Sequence, residues 1–138
     1  MAKIDSDFSV NHAEGSTFKA DGLRPYFEYR DLGIKDATNG GIIAHVIRAA
    51  EAFDGRGTGL HRHECDFQLV YVLAGWARFH YDGVGEVTIK KGSCINQPPG
   101  IDHNLIEYSD DFEVLEIVSP ANFATEDLKA EAADAAPA

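Results

Sequence analysis

The chemistry this chain can do is concentrated in its histidines and the carboxylates beside them. The densest group is Gly59-Leu60-His61-Arg62-His63-Glu64-Cys65-Asp66-Phe67-Gln68. In an extended segment successive side chains alternate faces, so His61 and His63 project to the same side. Two imidazoles on one side of a segment that leads into an apolar strand make half of a metal site. The same pair on an exposed loop is two solvated histidines. A third histidine, His103, follows the rigid turn Pro98-Pro99-Gly100. Glu64 directly follows His63, and alternation sends it to the opposite face; it and Asp66 read as solvated, or as ligands only in a shifted register. His45 and His80 fall within apolar runs and read as core or surface groups, and His12 lies in a polar arm. Cys94 is near His103 in sequence, but no base is placed beside it, so it reads as a small hydrophobe and not a nucleophile.

These residues need a frame, and the frame is legible as strands. Turn signals recur at Gly40-Gly41, Asp54–Gly57, Ala74-Gly75, Asp82-Gly83, Lys91-Gly92, Pro98–Gly100 and Ser109–Asp111. The stretches between them are rich in β-branched, aliphatic and aromatic residues. The pattern predicts strands over Ile42–Ala49, Phe67–Ala74, Trp76–Tyr81, Glu86–Lys90, Cys94–Gln97, His103–Tyr108 and Phe112–Val118. Pro25–Tyr29 is the best candidate for an earlier one. Short strands at this spacing mean an all-β sandwich or barrel. Phe79 and Tyr81 share parity with Ala77 and should pack inward. The ends differ: residues 1–23 form a polar arm, 24–121 the barrel, and 122–138 an acidic helix and tail, with the helix expected over Glu126–Ala133. Arm and tail read as packing and solubility elements.

Size and charge narrow the class further. The chain has 138 residues, enough for one ordinary domain. It carries 12 basic and 23 acidic residues, a formal charge of −11. Such a surface repels nucleic acid and anionic lipid, so neither is an expected partner. No apolar run approaches the roughly 18 to 20 residues that span a bilayer, and Met1–Asp7 lacks the apolar core of a secretory signal. A cytoplasmic protein with Cys65 and Cys94 reduced is the expectation.

With both histidine segments in view, the chain resembles the cupin superfamily, small double-stranded β-helices that hold a divalent metal inside a barrel. The first cupin motif is matched by Gly55, His61, His63, Gln68 and Gly75, and the second by Gly92, Pro98, Gly100, His103 and Glu107. Two positions depart: Gln68 stands where the family has a ligand glutamate, and Glu107 where it has asparagine. The resemblance implies a jelly-roll barrel holding one divalent ion (Zn, Ni, Mn or Fe) on His61, His63, His103 and Gln68. Three imidazoles and a carboxylate would leave the ion near +1, whereas an amide leaves it at about +2 and a stronger Lewis acid. Either the amide oxygen ligates directly or the amide holds a metal-bound water. Glu107 shares strand parity with His103 and Leu105, so it either lines the cavity as a general base or ends its strand in water.

Fold does not decide reaction. The resemblance implies a Lewis-acid isomerase or lyase acting on a small oxygen-rich or anionic substrate such as a sugar acid; some small cupins that handle unsaturated uronates are similar in having Gln at this position. Two alternatives are an iron-dependent dioxygenase and a non-catalytic barrel that binds or senses a small ligand. A homodimer formed through an edge strand is expected by the same likeness.

Overall fold

A computed structural model describes residues 4–22 and 24–128. The described residues fold as ten strands and one short helix. The strands are β1 (Phe27–Asp31), β2 (Ile43–Ala49), β3 (His61–Glu64), β4 (Phe67–Ala74), β5 (Trp76–Tyr81), β6 (Gly85–Lys90), β7 (Cys94–Asn96), β8 (His103–Tyr108), β9 (Glu113–Ser119) and β10 (Ala124–Asp127), and the helix is α1 (Ile34–Ala37). Two five-stranded antiparallel sheets result, ordered β1-β2-β9-β4-β7 and β10-β3-β8-β5-β6. After β2 the chain passes repeatedly between them, as expected of a double-stranded β-helix. No helix among the described residues is long and apolar enough to cross a membrane.

The inner faces meet in one core that includes Phe27, Ile47, Val72, Ala77, Leu105, Tyr108, Phe112 and Val114. Val72, Ala77 and Val118 are fully buried. Alternation within β4 explains the packing: Gln68, Val70 and Val72 point inward while Phe67 and Tyr71 stay exposed. Gly75 makes the tight passage from β4 to β5 at φ 71°, and a side chain there would collide with Ser109 and Phe112.

The sequence expectation named neither β3 nor α1, and two features at the ends of the barrel also differ from it. The helix expected from Glu126 does not start there, because Ala124–Asp127 pair with β3, Thr125 opposite His63 and Asp127 opposite His61. Residues 129–133 of that helix lie outside the described residues. Helix propensity in this acidic stretch yields to sheet pairing, which covers what would otherwise be an open edge at β3. The first strand is also shifted, since Pro25 and Tyr26 sit in a turn and pairing runs from Phe27 to Asp31.

Candidate metal centre

Strand pairing brings the two histidine segments together. His61 on β3 and His103 on β8 are direct cross-strand partners. His63 is two residues along β3 on the same inward face. The Pro98–Gly100 turn is tied to this strand by a hydrogen bond from the Gly100 N–H to the His63 carbonyl, 3.1 Å. All three histidines are buried. Their ring centroids lie 4.3 to 5.1 Å apart, and one ligand nitrogen of each lies within 4.8 Å of the others.

The far side of each ring is held by a fixed partner. His61 Nδ1 donates to the Gly59 carbonyl at 2.8 Å and His103 Nδ1 to the Ile101 carbonyl at 2.9 Å. His63 Nδ1 pairs with Thr125 Oγ1 at 2.8 Å. A ring whose Nδ1 carries the proton leaves the Nε2 lone pair free, and such outer contacts fix tautomer and orientation in metal sites. Burial, and after it the neighbouring His103, pushes His61 down to about 2 and His63 to about 4; burial lowers His103 as well. All three rings are therefore neutral at pH 7, the form that ligates. Three convergent, neutral, oriented imidazoles fit a divalent metal ion.

Gln68 reaches the same space from the opposite sheet. Its Nε2 donates to Glu116 Oε2 at 2.9 Å, and its Oε1 accepts from Gln97 Nε2 at 3.1 Å. Gln97 Nε2 also lies 3.2 Å from His103 Nε2, donating toward that lone pair. The Tyr81 hydroxyl donates to Gln97 Oε1 at 2.7 Å, and the Tyr81 ring stacks on His103 with centroids 5.6 Å apart. Phe79 and Tyr81 thus face inward as their parity requires.

Glu107 is not brought to this site. On β8, Leu105 pairs with Phe79 and Glu107 with Arg78, so Ile106 is an extra, bulged residue. One inserted residue reverses parity beyond it. Tyr108 takes the inward position and Glu107 turns out to an ion pair with Arg78 at 3.3 Å. Glu64 and Asp66 are exposed, as alternation implies for Glu64. Cys65 and Cys94 are free thiols, and Cys94 is exposed, not packed as a hydrophobe.

The histidines stand in a cavity of about 670 Å³. Aromatic and aliphatic side chains, among them Phe27, Phe79, Phe112 and Val70, form its walls, and Arg24, buried, also lines it. Lys19, Asp21, Asp31 and Lys35 stand at an exposed rim. The polar arm therefore contributes to the cavity, and His63 is supported by Thr125 on β10 and by Phe123 just before it, whose ring meets His63 edge-on at 5.4 Å.

Sequence reasoning missed Glu116, Gln97, His45 and Arg24. For Glu116 a signal existed: an acid at inward parity between Val114 and Val118 on an apolar strand. His45 Nε2 is bonded to Glu116 Oε1 at 2.7 Å, so this histidine faces the cavity beside the site. Burial alone would raise the Glu116 carboxyl, but hydrogen bonds from His45 and Gln68 outweigh it and hold the group below its usual range.

Residues 54–118 match the cupin domain family. None of the curated proteins matches the sequence. Among solved structures, KdgF from Halomonas sp. is similar with a TM-score of 0.64 and 18% identity over 81% of this chain and 94% of that one. The polyketide cyclase RemF from Streptomyces resistomycificus superposes with a TM-score of 0.70 and 15% identity, covering 89% and 87% of the two chains. The DMSP lyase DddQ from Ruegeria pomeroyi gives 0.60 and 19%, covering 90% of this chain and 60% of that one. Residues 54–118 therefore carry a cupin domain, and the two sheets have the double-stranded β-helix fold of these similar structures.

Proposed function

We propose that the protein is a metal-dependent enzyme of the Lewis-acid type, an isomerase or lyase, acting on a small, oxygen-rich, anionic organic molecule. The observation that carries this reading is the convergence of three buried, neutral, oriented histidines in a cavity that reaches the surface. His61, His63 and His103 would hold the ion, with Gln68 as the fourth donor. A divalent ion bound there supplies Lewis acidity, polarising a substrate carbonyl or hydroxyl oxygen.

The chain's own residues do the rest. Every proposed ligand is neutral, so a bound divalent ion together with Arg24 would outweigh the Glu116 carboxylate and make the site a positive island in a protein of charge −11. Surface charges at a distance are screened, and a small acid can still be drawn to it. Arg24 adds a buried cation on the cavity wall. The apolar walls exclude water around the reacting atoms. Similar structures that carry the names of a cyclase and a lyase are consistent with an enzyme in this frame.

The test is a substrate panel of small hydroxy acids, keto acids and unsaturated sugar acids, offered to protein loaded separately with Zn(II), Ni(II), Mn(II) and Fe(II). Turnover followed by NMR should appear without oxygen consumption and with more than one metal. Turnover with iron alone, coupled to oxygen uptake, would replace this reading with a dioxygenase. Binding without turnover of any member would leave a ligand-binding barrel.

A further inference from the structure

Among the described residues that line the cavity, Asp21 and Asp31 stand at the rim, and the carboxylate on the wall beside Gln68 is Glu116, which is not at the motif position. Glu116 stands on β9, the strand paired with β4, opposite Val70 and diagonal to Gln68. Its side chain is 16% exposed, and it lines the cavity. Each of its oxygens has its own donor, His45 Nε2 at 2.7 Å on one and Gln68 Nε2 at 2.9 Å on the other.

A carboxylate that receives two N–H groups acts only as acceptor. Gln68 must therefore show Glu116 its amide nitrogen and turn its oxygen the other way. On that side Gln97 Nε2 meets the oxygen at 3.1 Å, close to His103. Gln97 is itself oriented, because the Tyr81 hydroxyl donates to its oxygen. Each hydrogen bond along His45–Glu116–Gln68–Gln97–Tyr81 has a donor facing an acceptor. Flipping the Gln68 amide would set oxygen against carboxylate and N–H against N–H, losing one charge-assisted and one neutral hydrogen bond in a buried site.

We infer that Glu116 is the positioning residue of the metal centre: it keeps the carboxylate that position 68 lacks one hydrogen bond away and locks the Gln68 oxygen toward the histidines. The donor presented to a metal is then fixed in direction and neutral in charge, while the negative charge stays shared with His45. This inference rests on the reading of His61, His63 and His103 as metal ligands. A Glu116 that served only to satisfy His45 would support the fold without affecting metal binding.

The two roles separate in a four-protein cycle of wild type, Gln68→Glu, Glu116→Gln and the exchange of both, measured by Zn(II) affinity in chelator competition and by the thermal midpoint of metal-free protein. Glu116→Gln should weaken Zn(II) binding by about 10- to 100-fold, the range for partners behind a ligand. Gln68→Glu sets two carboxylates against each other and should lower the metal-free midpoint; the exchange should restore it, one carboxylate again facing one amide. Wild-type affinity in Glu116→Gln, or midpoint changes that simply add in the exchange, would overturn the inference. Should Glu116→Gln fail to fold, NMR of the wild-type chain decides: on Zn(II) loading the Gln68 Cδ resonance should move while its Nε2 hydrogens stay protected from exchange. Freely exchanging Nε2 hydrogens would overturn it. Wild-type protein that takes up no Zn(II) overturns the histidine reading itself, whereas uptake without coupling removes only the role of Glu116.

Discussion

The two sheets of the barrel distribute charge in different ways. The β10-β3-β8-β5-β6 sheet turns neutral imidazoles inward, and its outer face carries ion pairs, Arg62 with Asp102 at 3.0 Å and Arg78 with Glu107 at 3.3 Å. The β1-β2-β9-β4-β7 sheet carries charge inside as well. Its inner face holds the His45–Glu116–Gln68 chain. Its outer face has the Arg48–Glu28 pair at 3.5 Å and Arg30 at the β1 side, and next to them two rows that are uncharged over β2, β9, β4 and β7, Ala44–Ile117–Leu69–Asn96 and Val46–Leu115–Tyr71–Cys94. One sheet offers lone pairs to a metal and meets water with salt bridges. The other orients the remaining donor from within and leaves apolar surface outside, so the centre is made by neither sheet alone.

The comparison is broken most severely by removing the inward donors of the histidine sheet. Changing His61 and His63 together to Ala should abolish stoichiometric metal while the barrel remains folded, since the core lies elsewhere; elemental analysis with circular dichroism checks both. Metal retained at the wild-type level would remove the site.

Next in size is the response to acid. In metal-free protein, His61 and His63 take up protons in the fold only near pH 2 and 4, against an ordinary value of 6.5. Between those limits the unfolded chain binds more protons, so stability falls as pH drops below 6.5, by up to about 1.4 kcal/mol per pH unit for each histidine. Denaturant midpoints at pH 7.5 and 5 should differ clearly in the metal-free protein and much less in the double His→Ala variant. An equal acid response in both would show that the buried rings are not the cause.

The outer faces give the next effect. Tyr71, within one uncharged row, and Phe67, next to the other, are 40% and 41% exposed, and two copies of charge −11 approach most easily where charge is absent. A homodimer through this face should dissociate in Tyr71→Lys and be unaffected by Arg78→Glu, read as mass in solution. Smallest of all is Glu107→Gln. An exposed ion pair contributes little, so stability should stay within about 0.5 kcal/mol and metal content should not change. A large loss of activity in that variant would restore Glu107 to the site.

The donors of the histidine sheet were more legible than the carboxylate on the other. His61, His63 and His103 are short-range features, fixed by alternation and by a Pro-Pro-Gly turn, and seven of the eight strands from β2 to β9, all but β3, follow from turn signals and apolar runs. Strand parity keeps a cavity position open for Glu107 because a bulge at Ile106 carries no mark in a single sequence, yet it reverses every side chain after it. Glu116 was overlooked because its partners are not local. It meets Gln68 only when β9 pairs with β4, 48 residues apart in the chain. The strand at Ala124–Asp127 was hidden for the same reason: its acidic composition favours a helix until β3 offers an edge.

The central claim is that three histidines and one oriented amide form a divalent metal site. Elemental analysis of the purified protein, combined with X-ray absorption at the edge of the metal found, tests it most directly. The expected result is about one ion per chain with three imidazole nitrogens among its nearest neighbours. Protein that holds no metal and takes up none on titration with Zn(II), Ni(II), Mn(II) or Fe(II) would contradict it.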